Sequence, residues 1–160
     1  MNKTLLTIAF VTLLTLLTSA YYSAPADGRI GYKAPSLVLG NNNDLSPLQQ
    51  HRGETVLLTF WTSTDVQSRL DNMRYDRLSR QEGARFTHVS VNMDRSTSVF
   101  NTIVQLDNLD RSAHFIATAG SQESIIKSWR LNDGYHSFLI DPRGEIMAVD
   151  PDDNMLASIK

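Results

Sequence analysis

Hydrophobic and polar positions along the chain fall into blocks whose period changes. Residues 55–61 (TVLLTFW) are a short, nearly unbroken apolar run, the pattern of a strand covered on both faces in a parallel sheet. Residues 62–65 end the run and offer a helix start, with Thr64 and Gln67 at capping-box spacing and Asp65 acidic in the first turn. Val66, Leu70, Met73, Arg77 and Leu78 then follow helical spacing, which predicts a helix laying that face on the sheet. Residues 86–92 (FTHVSVN) alternate as a strand does, and Val99, Ile103, Val104 and Leu106 predict a second helix ending near Asn108. Residues 114–117 form a short strand or an extended approach to a third helix, which follows residues 121–124 and carries Ile125, Ile126 and Trp129.

Residues 135–140 and 145–149 predict an antiparallel pair, because Pro142 and Gly144 take the second and fourth positions of the intervening turn. Ahead of the central strand, Pro35 favours an extended entry over residues 31–39, residues 40–44 read as a turn, and residues 45–48 read as a brief strand or helical turn. Residues 152–160 predict a closing helix. The order of elements gives an α/β fold: a central mixed sheet with helices on both faces, ending in a β-hairpin.

The N-terminal block has a different character. Lys3 precedes an apolar stretch over residues 5–17, and Thr18, Ser19 and Ala20 supply small residues, which together predict a signal peptide over residues 1–20. Cleavage is expected after Ala20, with Ala24-Pro25-Ala26 as the alternative. The apolar stretch is shorter than the roughly 20 residues of a spanning helix, so cleavage rather than anchoring is expected. Tyr21 stands where a lipoprotein would carry cysteine. Residues 21–30 read as a polar tether and residues 31–160 as one domain. The expected location is periplasmic or secreted, with no membrane association after cleavage.

Composition narrows the chemistry. A formal net charge of -2 removes a basic imbalance and with it a dedicated nucleic-acid binder. The chain has no cysteine, which closes disulfides, thiolate metal sites and thiol chemistry together. His51, His88, His114 and His136 stand singly, without the close pairs of a zinc motif, and most are expected at the surface or half buried. Residues 150–154 lack the glycine and distal glutamate of a calcium loop. No metal and no cofactor are therefore expected. Asp65, Asp71 and Asp76 precede Arg69, Arg74 and Arg80 at helical spacing, which predicts ion pairs on a solvated helix surface.

Residues 31–149 resemble the exported thioredoxin-like family, which includes the cytochrome-maturation thiol reductases and neighbours the peroxiredoxins. Four matches in order carry the resemblance: Ala34-Pro35; Arg52-Gly53-Glu54 with Val56-Leu57-Leu58-Thr59-Phe60-Trp61; the cap and helix that follow; and the run from Phe138 through Asp141-Pro142-Arg143-Gly144 to Ile146. The resemblance implies the thioredoxin fold. Redox-active members carry Cys-x-x-Cys at the helix start, where the helix dipole lowers the thiol pKa. Those two positions fall here on Asp65 and Ser68, with Thr64 just before them. The family's cis-proline position falls on Tyr135 or His136, neither of them proline.

The chain thus resembles a cysteine-less, redox-inactive member in which thioredoxin, disulfide-isomerase and peroxidase activities are expected to be absent. The resemblance implies a degenerate active site at Trp61, Thr64, Asp65, Ser68, Tyr135 and His136, with Trp61 beside the cleft. Relatives hold client polypeptides in that groove, partly by backbone pairing, so the expected function is non-catalytic binding of a protein or peptide. The alternative is a hydrolase-like enzyme using Ser68, His136 and Asp65 as nucleophile, base and orienter.

Overall fold

The computed structural model describes residues 26–39 and 46–159. The expected signal peptide, the first part of the tether and the turn over residues 40–44 lie outside the described residues. The elements are α1 (Pro47–Gln50), β1 (Val56–Trp61), α2 (Val66–Ser79), β2 (Thr87–Asn92), α3 (Thr97–Leu106), β3 (His114–Ile116), α4 (Ala119–Ser128), a single 3-10 turn (Leu131–Asp133), β4 (Ser137–Ile140), β5 (Ile146–Val149) and α5 (Asp153–Ala157).

The strands form one mixed sheet in the order β3-β2-β1-β4-β5. β1 pairs in parallel with β2 and antiparallel with β4, and β2 pairs in parallel with β3. The apolar run therefore became the central strand, buried along its whole length. The turn at Asp141 closes as a hairpin: the Asp141 carboxylate accepts from the Arg143 and Glu145 N–H groups, and the Gly144 N–H donates to the Asp141 carbonyl.

The two faces of the sheet differ in kind. On the face covered by α4 and the entry segment, Leu58, Phe60, Val89, Val91, Phe138 and Ile140 meet Leu37, Ile125, Trp129 and Leu131 in the main apolar core. Phe60, Trp129 and Phe138 stack there with centroids 5.0 to 6.0 Å apart. The other face, under α2, α3 and α5, alternates apolar Leu57 and Leu139 with buried Thr59, His88, Ser90, Asn92, His114 and Ser137.

This polar face overturns the expected phase of the central helix. α2 does not lay Val66, Leu70 and Arg77 on the sheet; Val66 is 73% exposed and Leu70 54%, and Arg77 is exposed as well. Its buried face is Ser68, Asn72, Tyr75 and Asp76. The reason is complementarity: a sheet face of hydroxyl, imidazole and amide groups needs polar partners once covered, because buried polar groups cost free energy unless hydrogen-bonded. The N-cap also sits one residue later than expected. Asp65, not Thr64, caps α2, its carboxylate accepting from the Ser68 N–H at 2.7 Å. Two of the expected helix ion pairs form, Asp71 with Arg74 and Asp76 with Arg80. Arg69 turns instead to Asp107 at the end of α3, in a two-pronged contact at 2.7 and 2.6 Å. A carboxylate matching both guanidinium donors outcompetes one already used as a cap.

Residues 26–30 belong to the expected tether, yet they are fastened to the domain. Asp27 pairs with Arg130 at 2.6 Å, and the Gly28 N–H donates to the Ser128 carbonyl at 3.1 Å. A β-carbon added at Gly28 would stand 2.8 Å from the Trp129 carbonyl carbon and oxygen. Gly28→Ala is therefore expected to destabilise the chain by about 1–3 kcal/mol, the range for overpacking against a fixed backbone. Equilibrium urea unfolding checks it; an unchanged midpoint would show that this strap contributes nothing to the fold.

Candidate functional site

The carboxyl end of β1 runs into a loop whose polar groups bond largely to one another. Thr62 Oγ1 accepts from the Asp65 N–H at 3.2 Å, and the Ser63 N–H donates to both oxygens of Asp94, at 3.2 and 3.0 Å. Asp94 is itself oriented by the Asn92 amide at 3.0 Å. Thr64 is exposed, and its hydroxyl lies 3.5 Å from that of Thr62. Hydrogen bonding, first from the Ser68 N–H, holds the Asp65 carboxyl below its ordinary range. The first turn of α2 is thus capped by an ionised carboxylate.

Across from this loop comes the approach to β4. Gly134 has φ 147 and ψ 177, and Tyr135 follows it with its backbone N–H and C=O making no hydrogen bond among the described residues. The Tyr135 side chain packs on the edge of the main core. Burial, then the negative charges of Asp94 and Asp65, raises its phenol pKa. The next residue faces away, as alternation in an extended segment requires. His136 donates from Nδ1 to Asp150 at 2.7 Å, while its carbonyl accepts from the Phe60 N–H.

The expected site residues therefore separate into two groups. Thr64 and Asp65 are exposed at the start of α2, and Tyr135 is half buried on the approach to β4. Trp61 is not among them: the side chain is fully buried, its indole N–H donating to Ser90 Oγ at 2.8 Å. Ser68 is buried beneath the helix start, its hydroxyl donating to the Asp65 carbonyl at 3.3 Å and lying 3.5 Å from the Thr62 N–H. The hydrolase constellation is not assembled, because Ser68 and His136 each bond elsewhere and not to each other. Every described peptide bond is trans, including those at Tyr135 and His136.

Solved structures share this architecture. The chain superposes on a thioredoxin-like protein from Parabacteroides distasonis with a TM-score of 0.71 and 26% identity, covering 86% of this chain and 98% of that one. The fold is thioredoxin-like. A thiol:disulfide interchange protein from a Bacteroides species matches with a TM-score of 0.67 at 20% identity, over 82% of this chain and 88% of that one. The thioredoxin domain of a thiol-disulfide oxidoreductase from Bacteroides vulgatus matches with 0.62 at 21% identity, over 83% and 94%. No family model and no curated protein matches the sequence. The chain has a thioredoxin-like fold without cysteine and is structurally similar to thiol-disulfide oxidoreductases.

Sequence spacing missed a second constellation under α2. His88 on β2 and His114 on β3 are buried, not half exposed as expected, and each lies close to Asp76 of α2. The two histidines are 26 positions apart in the chain, but parallel pairing of β2 with β3 brings them together, their ring centroids 5.6 Å apart. A directed chain of bonds runs through the layer. Trp61 donates to Ser90, Ser90 to Asn72 Oδ1 at 2.6 Å, Asn72 Nδ2 to His114 Nε2 at 3.2 Å, and His114 Nδ1 to the Asp110 carbonyl at 2.7 Å. Burial pushes both imidazole pKa values down, with the proximity of His114 adding to the effect on His88. Burial thus favours the neutral form of both rings.

Proposed function

We propose that this thioredoxin-like protein works in the cell envelope as a non-catalytic module that binds an extended protein or peptide segment across the groove between the start of α2 and Tyr135. The observation that carries the reading is the backbone of Tyr135, whose N–H and C=O make no hydrogen bond among the described residues. Strand-type pairing needs only these groups, so it persists without thiols. Val66 and Leu70 on the first turns of α2 and Leu106 at the end of α3 are large exposed apolar side chains, and the Arg69–Asp107 pair links the two helices. Such clustering of large exposed apolar side chains is typical of interaction sites. The expected leader of residues 1–20 is what supports the envelope location.

Site-specific photo-crosslinking tests the groove. A photoreactive residue at position 135 or 66 is expected to trap polypeptide in cells, whereas one at Met147, exposed on β5, is not. Equal trapping at all three positions, or none at 135 and 66, would reject the groove as the binding surface.

A further inference from the structure

The polar layer under α2 contains one atom that the hydrogen-bond chain leaves out. His88 Nε2 lies 3.1 Å from Thr59 Oγ1, but His88 Nδ1 is buried without a hydrogen-bond partner. An unpaired buried nitrogen is rare and calls for a physical reason. Its surroundings offer one. A ligand atom from each of Asp76, His88 and His114 lies within 4.8 Å of the other two, and all three residues are buried.

The state of each group suits a cation. His114 Nδ1 lies 3.9 Å from Asp76 Oδ1 and donates its proton to the Asp110 carbonyl, so the lone pair a cation would use is on Nε2, which accepts from the Asn72 amide. His88 reaches the equivalent state when Nε2–H donates to Thr59 Oγ1, which leaves the Nδ1 lone pair open. An outward ring N–H fixed on an oxygen, with the other nitrogen free, is the arrangement that orients histidine ligands in metal sites. Asp76 is also oriented, since its Oδ1 accepts from the Asp110 N–H at 3.0 Å and its Oδ2 from Arg80. Asp110 thus holds two of the three residues in place, one through its carbonyl and one through its N–H.

The geometry points to a buried structural site for a divalent first-row transition ion of the zinc class, held by Asp76, His88 and His114. Two imidazoles and a carboxylate suit zinc, cobalt, nickel or copper(II) rather than calcium or magnesium. Binding displaces the Asn72 amide from His114, and the ion competes with Arg80 for Asp76. Arg80, with 46% of its side chain exposed, can turn to solvent. The ion would pin α2 to β2 and β3 directly beneath the helix whose first turn borders the groove. Because the site is closed to solvent, loading is expected during folding.

Refolding the untagged chain from denaturant with zinc or cobalt(II), against a chelator control, tests this. After desalting, elemental analysis is expected to find about one ion per chain, with a raised Tm and, for cobalt, the intense visible bands of a low-coordinate site. His88→Phe and His114→Phe are expected to lose the ion. Wild-type chain that refolds without retaining zinc or cobalt overturns the proposal, and this arm does not depend on any variant folding. Retention of equal metal by folded His88→Phe also overturns it, by showing a site elsewhere on the surface.

Discussion

Trp61→Ala is expected to lower the unfolding free energy by about 3–5 kcal/mol, the range for deleting a large buried aromatic side chain. Against the roughly 5–15 kcal/mol that stabilises a typical domain, that is a large fraction. The indole fills the space between β1 and α3, with Phe100 at 6.4 Å and His114 edge-on at 6.3 Å between ring centroids. Met73, Ile103 and Ile116 close around the same cluster. Truncation also removes the donor that orients Ser90, and through it the Asn72 amide. Trp61→Phe keeps most of the volume and loses only the N–H, so a smaller loss of about 1–2 kcal/mol is expected. Urea unfolding should show both as shifts in midpoint at unchanged slope. A loss under about 1 kcal/mol for Trp61→Ala would mean that the side chain does not bear on the core, and would return it to the groove as a candidate contact.

The contrast between Trp61 and Tyr135 shows what the sequence could and could not convey. The central strand, the hairpin at Asp141 and the alternation of helices and strands were legible because each rests on local signals: a continuous apolar run, a proline and glycine at fixed turn positions, a change of period. The phase of α2 was not. Its apolar residues Val66 and Leu70 follow helical spacing but face solvent, while Ser68, Asn72 and Asp76 face the sheet. Periodicity finds the buried side of a helix only where the surface it covers is apolar, and here β2 presents His88, Ser90 and Asn92 inward. That inward polar set was visible as the alternate positions of FTHVSVN, opposite Val89 and Val91. Both faces being covered could not be read from the strand alone.

The candidate site divides in the same way. The position of the helix start followed from the order of motifs, with the cap on Asp65 rather than Thr64. Which side each neighbouring side chain takes depends on the pleat and on tertiary partners. Trp61 goes down to Ser90 and His136 out to Asp150 for that reason. The cluster of Asp76, His88 and His114 left no local signature, because a helix and two parallel strands far apart in the chain each supply one residue. The chain has no cysteine, and the helix start is held by a capping carboxylate, a second carboxylate on the loop, and a polar layer beneath.

In the presence of chelator, stability is expected to fall as the pH drops below about 6.5, with a slope approaching 1.4 kcal/mol per pH unit for each of His88 and His114. Burial lowers both folded-state pKa values from the ordinary 6.5, and His114 adds to the shift on His88. The neighbours of His114 act in both directions: the Asp110 carbonyl and the charges of Asp76 and Asp110 favour its protonated form, and Arg111 opposes it, with burial prevailing. The folded state therefore binds fewer protons than the unfolded state below pH 6.5. The stabilisation is complete above that value and is lost as pH falls from it towards the folded pKa values. Carboxylates act in a separate, lower window. Asp110, held below its ordinary 3.8 first by the Ser112 hydroxyl, contributes above that value and loses its contribution only as pH falls through its own folded pKa. A stability profile between about pH 7 and pH 5 thus isolates the histidines. His88→Phe preserves a ring edge-on to Tyr75 and removes one titrating group. Its acid slope is expected to be about half that of the wild type, even where its stability at neutral pH is lower. A wild-type profile flat across this range would show that the buried imidazoles accept protons without opening the layer. In that case the network under α2 could not be what ties the helix to the sheet.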